Sequence, residues 1–99
     1  MANTYKISSV AQQELRKSAR WYDKQLTGLG LAFADAIYAA ADHICKYPES
    51  YSFKKYQFRE FIVKRFPFVV VYVYIESDAL INILHIFHTS RNPKLKYKK

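Results

Sequence analysis

"FVVVYVYI", Phe68–Ile75, holds only β-branched and aromatic residues. It is apolar on both of the faces that a strand's two-residue period would present, so it predicts a strand at the centre of a sheet, covered on each side. Its flanks support this reading. Pro67 breaks the chain before it, "ESDA" turns the chain after it, and "LINILHIFH" (Leu80–His88) reads as the next strand. Upstream, residues 58–66, "FREFIVKRF", are rich in β-formers and carry Arg59, Glu60, Lys64 and Arg65. These three segments predict an antiparallel meander. Residues 48–57, "PESYSFKKYQ", read as a polar, aromatic connector leading into it.

The first half has a different period. "TYKIS", residues 4–8, is a short strand candidate. Ser9 then reads as a helix N-cap, with Gln12 in capping-box position. Ala11, Leu15, Ala19, Tyr22 and Leu26 follow at helical spacing and mark a buried face, on which Trp21 and Tyr22 read as packing residues. "GLG", residues 28–30, ends that helix, because glycine accepts the left-handed conformation of a helix C-terminus. A second helix over residues 31–47 buries Phe33, Ile37, Ala40, Ala41 and Ile44, and Pro48 stops it. The expected fold is α+β, in the order β-α-α-β-β-β, with a helical hairpin packed on one face of a small, mainly antiparallel sheet.

The chain has 99 residues, which predicts one domain over residues 1–99, and half of them are hydrophobic, ample for one core. Sixteen basic residues against eight acidic give a net charge of +8, which favours a polyanionic partner. The single cysteine, Cys45, reads as inert core or half-core and suits a reducing compartment. No Cys/His group has metal-ligand spacing, no cofactor motif is present, and no apolar run reaches the roughly 20 residues of a membrane span. The expectation is a soluble cytoplasmic protein with no metal, cofactor or membrane.

Chemistry points to the basic residues near the last strand. Arg59, Lys64 and Arg65 lie in or beside one strand; His88 ends another, and Arg91, Lys94, Lys96, Tyr97 and Lys98 follow it. If the meander gathers them, several cations and one imidazole face one concavity. Such a set can hold a phosphodiester and move a proton. The plainer alternatives are a solvated basic face and a lysine-rich tail.

Several stretches together resemble the RelE/ParE superfamily of toxins from bacterial type II toxin–antitoxin systems: "ELRKSARWYDKQLTGLGLAFADAI", "YPESY", "FREFIVKRFPFVVVYVY" and "INILHIFHTSRNP". The resemblance implies a microbial-RNase-like fold and a growth inhibitor silenced by a cognate antitoxin. It implies one of two mechanisms. RelE-type members cut mRNA on the ribosome; ParE-type members poison DNA gyrase without nuclease activity. By the first, which is the leading expectation, Arg91 and Arg59 or Arg65 stabilise the transition-state phosphate, and His88 or Tyr97 transfers protons. Lys54, Lys55, Lys64, Lys94, Lys96 and Lys98 then bind the nucleic acid. The long hairpin with "GLG" is closer to ParE-like members.

Overall fold

In a computed structural model of the chain, residues 2–51, 53–55 (by backbone only), 57–91 and 96 are described. Phe68–Ile75 is the middle strand, β4, of a five-stranded sheet ordered β1-β5-β4-β3-β2. β1 is Thr4–Ile7, β2 Phe53–Lys55, β3 Phe58–Ile62 and β5 Leu80–His88. The meander is antiparallel as expected, and β1 returns parallel to β5. The order β-α-α-β-β-β is observed, with one addition. The segment read as a connector contains the three-residue edge strand β2, paired irregularly with β3. β3 stops at Ile62, and residues 63–66, expected as its continuation, form a turn in which Arg65 takes φ 77°.

Helices α1 (Ser9–Gln25) and α2 (Leu29–Lys46) cover one sheet face. The five predicted core residues of α2 are all buried. Ala11 and Leu15 of α1 are buried too, and Tyr22 packs against Phe33, Phe66 and Phe68. Leu26 and Trp21 differ from expectation: they are 65% and 58% exposed. Trp21 lies about 100° around the helix from Tyr22, which turns its indole outward.

The caps also differ. Ser8, not Ser9, caps α1: its hydroxyl accepts from the Ala11 amide at 3.1 Å and donates to the Leu84 carbonyl at 3.0 Å. The Gln12 side chain donates to the Ile7 carbonyl instead of closing a capping box. Helix α1 ends at extended Leu26, and Gly28, at φ 92°, begins α2. Gly30 lies inside α2 where the helices meet, so that a Cβ there would stand 2.4 Å from the Ala19 carbonyl oxygen. Asp23 reaches across to accept from the Gly28 and Gly30 amides at 2.9 and 3.2 Å. A carboxylate at a helix N-terminus satisfies free donors and complements the helix dipole.

A bulge in β5 organises the sheet's two faces. Val71 pairs with His85 and Tyr72 with Ile83, which leaves Leu84 as the extra residue. Ile81, Ile83 and Ile86 therefore point to the helices, while Leu84 and Phe87 join Phe58, Val69 and Val71 on the opposite face.

Candidate functional site

β1 ends at Ile7, opposite Ile83, so β5 beyond Ile83 has no neighbouring strand on that side. An open edge leaves unpaired backbone donors. Glu14, one and a half turns into α1, fills the gap. Its Oε1 accepts from the Ile86 amide at 2.9 Å and lies 3.5 Å from Nδ1 of His85. Its Oε2 accepts from the Arg91 guanidinium at 2.7 Å. Burial pushes the Glu14 carboxyl up, but the bonds from His85, the Ile86 amide and Arg91 outweigh burial and hold it below the usual carboxylate range. The Arg91 side chain, 42% exposed, also lies over the Phe87 ring at 4.5 Å. On the same face, Nζ of Lys96 stands 3.3 Å from Oε1 of Glu60 on β3 and 5.8 Å from the Phe87 centroid. Two cations thus flank one buried aromatic ring, and each faces a carboxylate.

The other sequence-derived candidates do not all join them. Arg59 is buried opposite Tyr72, toward the helices, and its guanidinium donates to the carbonyls of Glu49 and Tyr51. In that position it anchors the chain that follows α2. His88 pairs with Phe68 and stacks edge-to-face on that ring, on the side of the strand opposite Phe87. Its Nδ1 accepts from the Ser90 amide at 3.0 Å and lies 2.7 Å from the Ser90 hydroxyl. A backbone amide can only donate, so in this bond Nδ1 is the acceptor, its lone pair is occupied, and the nitrogen left for another partner, Nε2, carries the hydrogen. Lys64 and Arg65 are exposed in the β3–β4 turn. Lys54 and Lys55 belong to β2, but their side chains, like Lys94, Tyr97 and Lys98, lie outside the described residues.

Sequence reasoning passed over Glu14 and His85. Neither stands out in a linear pattern, because what makes them partners is the edge left open by β1. Cys45 is half-buried, and burial raises its thiol pKa, which makes it a poor nucleophile. Among the described residues, no helix is long and apolar enough to cross a membrane.

The chain has clear likenesses. The family model described as "ParE toxin of type II toxin-antitoxin system, parDE" matches residues 5–93. No curated protein matches by sequence. Among solved structures, the fold is similar to a chain of the chromosomal ParDE toxin–antitoxin system from P. aeruginosa, with a TM-score of 0.76 at 15% identity over 90% of this chain and 98% of that one. It is also similar to a chain of the intact E. coli RelBE toxin–antitoxin complex, with a TM-score of 0.68 at 13% identity over 91% of this chain and 100% of that one.

Proposed function

Because this chain belongs to the ParE toxin family of type II toxin–antitoxin systems, we propose that it arrests growth by gripping a protein target and not by cutting RNA. The target is DNA gyrase, as the likeness to ParE-type members implies, and a cognate antitoxin silences the toxin by covering it. This replaces RNA cleavage as the leading reading.

One observation carries the choice: Arg91, the residue best suited to a transition-state phosphate, is bonded to Glu14 at 2.7 Å. A paired guanidinium presents little net charge to a developing phosphorane, and such a nuclease draws most of its rate from preorganised charge at that point. The second cation, Lys96, is likewise opposed by Glu60. Arg59 is turned inward, away from where such charge would develop, and the Nδ1 lone pair of His88 is engaged by the Ser90 amide and so is not free to take the proton of an attacking 2′-hydroxyl. The same groups suit a protein partner. Arg91, partly exposed over the buried Phe87 ring, is the kind of residue that anchors a protein interface, and Lys96 beside it is a rim charge that steers the partner.

The test is induced expression followed by two assays, supercoiling by gyrase and integrity of mRNA on translating ribosomes. Loss of supercoiling with intact mRNA is expected. Cut mRNA with undisturbed supercoiling would overturn the reading.

A further inference from the structure

The outward face of α1 has no role in the site above. Arg16, Lys17, Arg20 and Lys24 are all exposed on it, and Trp21 stands among them at 58% exposure. Lys17, Arg20, Trp21 and Lys24 follow at spacings of three, one and three, which places them on one stripe of the helix. The helix has two acidic residues, and both are engaged inward: Glu14 with Ile86 and Arg91, Asp23 with the amides that open α2. Glu14 and Asp23 stand three residues from Lys17 and Arg20, but their carboxylates are engaged with backbone amides and Arg91, so the row of four exposed cations keeps its positive sign. Arg16–Arg20 and Arg20–Lys24 are like-charge pairs at four-residue spacing, which weaken a helix when nothing neutralises them.

Trp21 is braced, not loose. Its ring meets that of Tyr22 edge-to-face at 5.1 Å. Beside it is a hollow of about 190 Å³ lined by Ser18, Tyr22, Phe68 and His88. This hollow shares Ser18, Phe68 and His88 with a cleft of about 490 Å³ that continues along α1 past Lys17 and Gln13 to Arg91. One groove thus runs along the helix, with an exposed indole at one end, Lys17 on its wall and the Glu14–Arg91 pair at the other end, while Arg20 and Lys24 stand on the helix beside the indole.

We propose that this face binds single-stranded nucleic acid, with a base stacked on the Trp21 indole and adjacent phosphates held by Lys17, Arg20 and Lys24. Two independent features fit this one ligand. Phosphates answer a one-signed row of cations at helical spacing, and a base answers an exposed, braced indole beside a hollow. Stacking platforms combined with a basic track are how sequence-tolerant strand binding is built. The inference is independent of gyrase as the toxin's target and is tested without it.

The chain has one tryptophan, so its fluorescence reports on the site itself. Purified full-length protein is titrated with short oligothymidylate and, separately, oligouridylate. Both are expected to quench Trp21 and to be recovered uncut, with affinity falling with salt by a slope of about −2 for three phosphate contacts. Preference for one oligomer assigns the strand to DNA or RNA. With a labelled oligomer followed by anisotropy, Trp21→Ala should weaken binding about tenfold, with Trp21→Phe in between. Lys17→Gln or Lys24→Gln should each lower the salt slope by about 0.7. Circular dichroism confirms that these exposed substitutions leave the fold intact. Absence of binding, binding unchanged in folded Trp21→Ala, or equal binding of a duplex without quenching would overturn the proposal. So would equal quenching by a polyglutamate peptide, which would make the face a dock for an acidic protein.

Discussion

Among single side chains, Glu14 carries more of the structure than its place in the sequence suggests. It closes a strand edge, orients Arg91 and lies against His85. Charge-assisted bonds of this kind are worth about 1.5–3 kcal/mol. Glu14→Gln keeps the shape and an acceptor for Ile86 but loses the charge, so it should cost about 1–2 kcal/mol at neutral pH. The sign of its pH dependence follows from its lowered pKa. The stabilisation is full above the ordinary carboxyl value of 4.5 and is lost as pH falls through the folded-state value. Denaturant melts of wild type and variant should therefore converge in acid. A gap that persists there would mean that the charge is not the cause. Glu14 and His85 were illegible in the sequence because their pairing depends on where a distant strand stops. Arg91 was legible as an ordered residue beside His88, since its amide does donate to the His88 carbonyl. Its carboxylate partner was not.

Period and composition located both helices and four of the five strands; β2, three irregularly paired residues inside a polar connector, gave no period to read. Two-faced apolarity located the central strand, and helical spacing located the buried face of α2. Val70 is wholly buried between Phe61 and Ile86 on the helix-covered face. Val70→Asp would bury a carboxylate with no partner, at a cost of about 5 kcal/mol or more, comparable with the whole stability of a small domain. No folded protein should be recovered on expression, and a soluble, cooperative melt would contradict the placement. The helix junction was less legible. "GLG" looks like a C-terminal stop, yet its second glycine serves close approach of the helices, which only three dimensions reveal. Gly30→Ala puts a methyl 2.4 Å from a backbone oxygen that cannot move far. Despite alanine's better helix propensity, the variant should lose about 1–3 kcal/mol, read as a lower melting midpoint. A raised midpoint would show that the hairpin opens freely.

As one cooperative unit, the protein should fail in alkali through Tyr72. The Tyr72 ring is wholly buried, and its hydroxyl donates to the Pro48 carbonyl at 2.8 Å. Burial, partly offset by Arg59, pushes its pKa from 10.0 up to about 12. A raised folded-state value means that the contribution is complete below pH 10.0 and is lost as pH climbs toward 12. Two pKa units correspond to roughly 3 kcal/mol. Tyr72→Phe should be about 1 kcal/mol less stable at neutral pH but lose less on going to alkali, as measured by urea unfolding across that range. An unchanged alkaline loss would move the effect to Tyr5 and Tyr22, whose pKa values burial also raises.

The parallel pairing of β1 with β5 has a consequence in time. Thr4 finds its register opposite Leu80, and Ser8 bonds to Ile83 and Leu84. At 5–20 residues per second, the first strand waits about 4–15 s of synthesis for its partner. Until then the sheet lacks the strand that carries His85 and Phe87 and the segment that carries Arg91. On the reading proposed above, the face that grips the target is therefore completed only when β5 has emerged and been captured by the first strand.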